Sequence, residues 1–285
     1  MGKEPFVLEW LGGPAESRFR RLRPGVDDLP WGTLDTSSFS PLVIDRARVA
    51  WTEAAYTEYA TAAAFSDIVH ALLAAKAPID LVGMTSDFVA DEIVHVELTS
   101  RMAMELGGGA PYEIDFEALT VRPAVHLLPF QRANEMILRT CIAEELSVPF
   151  FSESMACASQ PIARAVLDRI AKDEAPHGGL AWLYLDWAQE ELDDAERRRL
   201  ARVAHEVLER GHAYWARLRS RAPDVAEQEL GWMTPARFDA VQSRAIRGSI
   251  ALPLAGYGII LDEAVLDRLL VVPDAPWEVT KPGGG

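Results

Sequence analysis

Two copies of one short pattern, a glutamate followed three positions later by a histidine, constrain this chain more than any other feature. They are Glu92 with His95, within the stretch 91–95, and Glu174 with His177, within the stretch 173–177. In an α-helix, residues i and i+3 lie on one face about a turn apart, so a carboxylate and an imidazole can reach the same metal ion. One such pair is commonly incidental. Two pairs on separate helices indicate a two-metal site if the other helices supply matching ligands.

Apolar residues at helical spacing predict four long helices, at about 45–76, 79–106, 130–159 and 161–189. Tight turns join the first helix to the second and the third to the fourth, so each pair is predicted to form an antiparallel hairpin. About twenty residues separate the second helix from the third. At ~3.3 Å per extended residue they can return along a helix ~40 Å long. The order hairpin, long crossover, hairpin predicts an all-α four-helix bundle.

The first helix offers Glu58 as the partner of Glu92, because Glu58 falls within a stripe of apolar residues. Glu58 lies 19 residues before the turn at Ala77, and Glu92 lies 15 residues after it. The resulting mismatch along the bundle is about 6 Å, one helical turn, which long side chains can span. Glu53 would be displaced by about 14 Å on the same arithmetic.

The third helix offers Glu144 as the partner of Glu174, since each lies 15 residues from the turn at Ser159. Glu145 lies at nearly the same level, but it points about 100° away around the helix. We therefore predict Glu144 as the ligand, with Glu145 as the open alternative.

The predicted metal ligands share one level and one inward direction. They are Glu58, Glu92, His95, Glu144, Glu174 and His177. Four carboxylates carry a charge that two divalent ions would balance, and oxygen donors with one imidazole per ion suit iron, with manganese as the alternative. The competing interpretation is that these are incidental pairs on surface helices. Glu209 with His212 is such a pair by our interpretation, because it lies off the apolar stripe of its helix.

Charge and composition exclude several functions. The formal net charge is −15, with 43 acidic against 28 basic residues, which argues against a nucleic-acid surface. The four arginines between Arg18 and Arg23 are interpreted as a solvated strip that neutralises acid on the bundle. The apolar run 250–261 is too short and too interrupted to span a membrane. With no signal peptide and no Cys-x-x-Cys pair, we expect a cytoplasmic protein without a rubredoxin-type iron site.

The chain is predicted to have three parts. Residues 1–45, rich in glycine and proline, form an irregular arm, residues 46–190 form the four-helix bundle, and residues 191–285 add helices that pack on it. Within the third part we predict a fifth helix from Asp193 or Asp194 to about Arg221 and a sixth from Thr234 to about Arg247. A Gly/Pro segment, a short helix at 262–270 and a loose tail from 273 complete the chain.

Over residues 45–190 the sequence resembles the ferritin-like di-iron carboxylate superfamily. The superfamily includes ferritins, rubrerythrins, ribonucleotide reductase small subunits, aldehyde-deformylating oxygenases, hydroxylases and arylamine N-oxygenases. The resemblance rests on the order Glu, Glu-x-x-His, Glu, Glu-x-x-His. It implies that two of the ligands bridge two irons and that the others are terminal. The bridging pair would be Glu92 and Glu174, and the terminal pairs would be Glu58 with His95 and Glu144 with His177.

Two positions depart from that pattern. Pro176 lies between the fourth-helix ligands, where it removes the hydrogen bond to the Lys172 carbonyl and is expected to kink the helix. Arylamine N-oxygenases carry an additional histidine one turn before the second Glu-x-x-His pair, and this chain has Ile170 there. The resemblance to that particular group is therefore not supported in detail.

The resemblance and the extra segments lead to one functional hypothesis and two alternatives. The first is a non-haem di-iron oxidoreductase, of the monooxygenase type, that uses O2 or peroxide to hydroxylate or N-oxygenate a small organic substrate. Its electrons would come from a separate ferredoxin or flavoprotein, and a homodimer is among the expectations. The alternatives are a ferroxidase or rubrerythrin-like peroxide-scavenging protein, and a helical scaffold stabilised by metal.

A passage from the metals to the surface, wide enough for an organic molecule, would separate the first hypothesis from the others. Aromatic and apolar residues on the bundle helices are the candidates for the wall of such a cavity. They are Trp51, Phe65, Phe88, Cys141, Val148, Phe151 and Tyr184.

Overall fold

The computed structural model describes residues 3–119, 126–219 and 225–270, and the prediction of a loose tail from residue 273 lies outside them. The described chain is predominantly helical, which confirms the all-α prediction. A two-residue strand β1 (Glu4–Pro5) pairs antiparallel with β2 (Glu113–Ile114). The helices are α1 (Gly13–Leu22), α2 (Pro41–Ala74), α3 (Ile79–Glu105), α4 (Pro129–Cys157), α5 (Pro161–Ala188), α6 (Asp194–Arg219), α7 (Val225–Glu229), α8 (Pro235–Ala245), α9 (Leu252–Gly256) and α10 (Glu263–Leu269).

Proline in the first turn marks the start of three of the four long helices. Pro41, Pro129 and Pro161 occupy this position in α2, α4 and α5, where the missing N–H costs no helical hydrogen bond. The predicted start of α2 near residue 45 was four residues late. The reason is that the hydroxyl of Ser40 accepts a hydrogen bond from the Val43 N–H and caps the helix earlier.

The four long helices lie side by side, with α2 against α3 and α4, and α5 against α3 and α4. One apolar cluster, here the upper core, joins the end of α2, the start of α3, the start of α4 and the end of α5. Its members include Leu72, Val82, Met136 and Leu185. A second cluster, the lower core, joins the opposite ends of the same helices and includes Val43, Leu98, Met155 and Ile162. Helices α2 and α5 therefore run one way and α3 and α4 the other, so the segment 106–128 connects opposite ends.

The arm predicted to be irregular contains α1, which starts with Gly13 and Pro14 and ends in arginines. Arg20 of α1 and Arg23, the residue after it, neutralise acids on α3 as predicted, but Arg23 is only 13 % exposed and is not solvated. Arg20 donates from one nitrogen to both oxygens of the buried Glu97 at 2.6 Å, and Arg23 pairs with Asp91 at 2.6 Å. The arm is thus attached to the long helices by ion pairs, which a search for apolar periodicity does not detect, and by the apolar contacts of Val26 and Phe39 with the lower core.

The C-terminal helices cover α4 and reach α2. Helices α6 and α8 pack on α4, and α7 contacts α2. Glu196 on α6 accepts from Asn134 at 2.8 Å, and Asn134 in turn accepts from the hydroxyl of Tyr184 at 2.7 Å. A buried polar chain therefore fixes α6 against α4 and α5.

One prediction about proline was wrong. The segment after α8 is a π-helical turn (Ile246–Ala251) followed by α9, and not an irregular Gly/Pro stretch. Pro253 falls in the first turn of α9, which tolerates proline. In α5 the helix includes Pro176, and the kink expected there stays a prediction.

Among the described residues, no helix has both the length and the apolar composition that a bilayer crossing requires.

Candidate metal centre

A layer of charged side chains separates the upper core from the lower core. All six predicted ligands lie in this layer, two on each of α3 and α5 and one on each of α2 and α4. Their exposed fractions are 0 % for Glu92, His95 and His177, 1 % for Glu174, and 5 % for Glu58 and Glu144. Burial of four carboxylates among apolar neighbours is strongly unfavourable unless cations compensate them.

The six side chains form two overlapping groups. Glu58, Glu92, His95 and Glu174 bring one ligand atom each within 4.8 Å of one another. The second group, with the same spacing, contains Glu92, Glu144, Glu174 and His177. Glu92 and Glu174 belong to both groups, which is the arrangement needed for carboxylates that bridge two ions.

Both histidines direct Nδ1 toward the carboxylates. Nδ1 of His95 lies 3.2 Å from Glu174, 3.5 Å from Glu58 and 3.7 Å from Glu92. Nδ1 of His177 lies 2.9 Å from Glu92 and 3.6 Å from Glu174. Each imidazole therefore presents a nitrogen to one of the two groups.

The other ring nitrogen of each histidine faces an aspartate that the sequence analysis missed. Nε2 of His95 lies 3.5 Å from Asp173, and Nε2 of His177 lies 3.5 Å from Asp91. Each of these aspartates immediately precedes the glutamate of the opposite Glu-x-x-His pair. The repeated Asp-Glu-x-x-His pattern was the signal that could have identified them.

An arginine holds each aspartate from outside. Arg169, one turn earlier on α5, donates to Asp173 at 2.7 Å, and Arg23 of the arm pairs with Asp91 at 2.6 Å. Arg169 also donates to the carbonyl of Pro24 at 3.1 Å, so the arm crosses this face of the molecule directly over both aspartates. Such outer contacts fix the orientation and the tautomer of a metal-binding imidazole.

The unpartnered atoms of the layer fit divalent ions. Both oxygens of Glu92 and both ring nitrogens of His95 and His177 are buried without a hydrogen-bond partner among the described residues. Buried polar atoms in proteins are normally satisfied, so exceptions require an explanation such as an ion. Carboxylate oxygens with one imidazole per group are a donor set suited to iron or manganese.

The protonation equilibria of the layer are strongly perturbed. Burial, together with the charges of Glu92 and Glu174, raises the pKa of Glu58 to about 8, and burial beside Glu174 raises the pKa of Glu144 well above its usual range. Although burial alone would lower the pKa of His177, the nearby carboxylates of Asp91, Glu174 and Glu92 raise it to about 11. Without an ion, the layer is thus stabilised by holding protons.

The structure separates Glu144 from Glu145. Glu144 lies in the buried layer beside Glu174, whose Oε2 also accepts from the hydroxyl of Ser147 at 3.0 Å. Glu145 points away from the layer and accepts from the indole N–H of Trp182 at 2.6 Å. The geometry therefore favours Glu144 as the ligand on α4.

A cavity of about 890 Å³ opens onto the layer from the side of Glu58, Glu144 and Glu174. It runs along one stripe of α2, between this helix and α4, α6 and α8. Of the residues predicted to form its wall, only Phe151 does so. The others lie elsewhere because the wall uses different faces of α2 and α4, together with residues of the C-terminal helices. Phe65, Phe88, Cys141 and Tyr184 belong to the upper core and Trp51 to the lower core.

Fold and site together define a helical protein with a buried carboxylate and histidine cluster that could bind metal ions. No protein-family model, curated protein or solved structure matches the chain.

Proposed function

We propose that this chain is a ferritin-like, non-haem di-iron oxidoreductase that uses O2 to oxidise a small organic substrate. Glu92 and Glu174 would bridge the two ions, since both belong to both ligand groups. The terminal ligands would be Glu58 with His95 and Glu144 with His177. When bound, a reduced pair of iron ions supplies the binding and reduction of O2.

The observation that carries the proposal is the cavity at the ligand layer. A ferroxidase or a purely structural metal site has no need of a space of about 890 Å³ beside its carboxylates. Pockets for small organic molecules have volumes of about 300–1,000 Å³. The cavity therefore favours the oxidation of an organic substrate over the two alternative functions.

Residues on the two sides of the charged layer have different proposed roles. On the cavity side, Glu58 and Glu144 would be the terminal carboxylates of the two ions, next to the space that a substrate would occupy. On the opposite side, Asp91 and Asp173 hold the imidazoles in place from their Nε2 atoms. Substrate would thus approach from the α2 and α4 side. A separate ferredoxin or flavoprotein would supply electrons.

Metal content under defined loading tests the proposal. Purified protein is loaded with ferrous iron under argon, desalted and analysed for metal. We expect about two ions per chain, followed by O2 consumption on exposure to air. Glu92→Ala and Glu174→Ala should each lose most of both ions, because each bridge serves the pair.

Glu209→Ala is the matched control, since this glutamate on α6 is exposed and lies apart from the layer. It should retain both ions. A wild-type protein that stays folded and binds no iron or manganese would refute the proposed function.

A further inference from the structure

The cavity has two unlike parts. Close to the ligand layer its wall consists of small side chains, among them Thr57, Ala143 and Ser147. Farther along, large apolar side chains from α4, from the segment before α8 and from α8 itself surround it. This second part, here the aromatic chamber, consists of Phe150, Phe151, Trp232, Met233 and Phe238.

The rings of the chamber meet edge to face. Phe150 packs against Phe151 with ring centroids 5.4 Å apart and against Phe238 at 5.9 Å, with interplanar angles of 74° and 79°. Trp232 meets Trp51 in the same way at 6.2 Å. Edge-to-face contact is one of the arrangements that aromatic rings prefer, and a ligand ring in the chamber could make such contacts with these side chains.

Charged groups of the cavity wall outside the ligand layer are paired or lie at the rim. In the wall, the partly exposed Arg46 pairs with the buried Glu227 at 2.8 Å. Asp45 and Arg210 are exposed at the rim, and Glu53 is partly exposed. A charged ligand group in the aromatic chamber would therefore lose its hydration without gaining an ion-pair partner there, which is strongly unfavourable.

We propose that the cavity binds an uncharged aromatic molecule of one or two rings. Its ring system occupies the aromatic chamber, and one substituent extends toward Glu58 and Glu144. Phe150 lies six residues after Glu144, about 9 Å along α4, which matches the length of a two-ring compound. The identity of the reacting end rests on the proposed function, whereas the binding itself does not.

Binding of matched probes tests this inference directly. The protein is studied both metal-free and loaded with zinc, which does not react with O2, and is titrated calorimetrically at pH 7. The probes are 2-naphthol, the anion 2-naphthoate, the cation 2-naphthylmethylammonium and the saturated decahydro-2-naphthol. We expect 2-naphthol to bind once per chain and each of the other three at least about tenfold more weakly.

Variants locate the binding. Ala54→Phe places a ring in the cavity from α2 and should abolish binding of 2-naphthol, whereas Ala74→Phe at the exposed end of the same helix should not change it. Phe238→Leu keeps an apolar wall and should weaken binding about threefold to tenfold, through loss of the ring contact. This second variant remains informative if Ala54→Phe fails to fold.

Three results would overturn the inference. The first is that 2-naphthoate binds more tightly than 2-naphthol and that this binding is lost in Arg210→Gln. The second is that the saturated alcohol binds as tightly as 2-naphthol, and the third is that no probe binds. The proposed function is tested separately, by metal content and O2 consumption, and none of these three binding results would count against it. Conversely, a protein without iron could still bind 2-naphthol in its metal-free form, so the two failures are distinguishable.

Discussion

At the scale of single residues, each histidine of the ligand layer is held from both sides, by carboxylates at Nδ1 and by an aspartate at Nε2. Asp91→Asn keeps the size of the side chain and removes the charge that orients His177. We expect metal affinity to fall about tenfold to a hundredfold, as measured by competition with a chelator. The control is Asp168→Asn, because Asp168 pairs with Lys172 on the exposed face of α5. Equal losses in the two variants would show that Asp91 has no orienting role.

Substitutions of the adjacent Glu144 and Glu145 on α4 should differ in their effect on metal binding. Glu144→Gln is expected to lose metal, because it removes one carboxylate of the layer. Glu145→Gln should retain the metal and instead change the fluorescence of Trp182, since the indole loses a charged acceptor at 2.6 Å. Elemental analysis and emission spectra of the two variants make the comparison. The reverse pattern would mean that the ligand on α4 is Glu145.

The co-location of the six side chains in one buried layer could be predicted from the sequence, because it follows from helical spacing and from counting residues to a turn. The contact of Arg23 with Asp91 could not be predicted, because Arg23 lies in the N-terminal arm, far from α3 along the chain. Nothing in local periodicity shows which surface such a segment covers. Arg169 is different, since it lies one turn before Asp173 and its ion pair was open to prediction.

At the scale of helices, α1 is attached mainly by charge. Arg20→Ala would leave Glu97, whose side chain is 3 % exposed, with only the longer contact to Arg101 at 3.4 Å. A buried carboxylate that loses its partner costs about 1–3 kcal/mol. We expect a loss of that size in the free energy of urea unfolding, whereas Arg18→Ala on the exposed side of α1 should change it little. Equal stabilities would place α1 among the dispensable parts of the fold.

The four long helices were predictable because each carries about eight turns of apolar periodicity. Helix α1 was missed because it is short, has no buried residue and is rich in arginine. The helical segment 246–256 was missed because Gly248, Pro253 and Gly256 suggest a loop, whereas the π-helical turn permits the helix to resume. In both cases contact with the long helices outweighs weak local preference.

At the scale of the whole molecule, the ligand layer makes stability depend on pH. The pKa of Glu58 is raised to about 8 and that of His177 to about 11, so the native metal-free protein holds protons that the unfolded chain releases. The stabilisation that these two protonated groups provide is complete at pH values below their pKa in the unfolded chain. It is lost as the pH rises through their pKa in the folded protein. We expect the unfolding free energy of the metal-free protein to fall between pH 5 and pH 9, by at most about 1.4 kcal/mol per pH unit for each group.

Metal should reverse this trend, because its ligands bind in their deprotonated forms. The difference in melting temperature between loaded and metal-free protein is therefore expected to grow with pH. Glu58→Gln should raise the melting temperature of the metal-free protein at pH 7 and leave it unchanged near pH 4. Glu209→Gln should leave it unchanged at both pH values. A metal-free protein whose stability rises with pH would contradict these protonation equilibria.

The cavity is the feature of the whole molecule that the sequence could least predict. Its wall combines one stripe of α2 with residues of α6 and α8, which follow it by at least 146 positions, from Thr61 to Val207. Apolar residues on the long helices were the natural candidates, and all but Phe151 and the half-buried Val148 proved to be core. A space between helices depends on how far apart they pack, and periodicity shows only which face is buried.

The separation of the upper and lower cores by a charged layer also bears on cooperativity. Two apolar half-cores that meet across a layer of buried carboxylates and imidazoles share little apolar contact, so without ions each end of the molecule is expected to open independently in amide hydrogen exchange. Ions shared by four helices would couple those openings. Metal would then determine not only how stable the protein is but whether it unfolds as one cooperative unit.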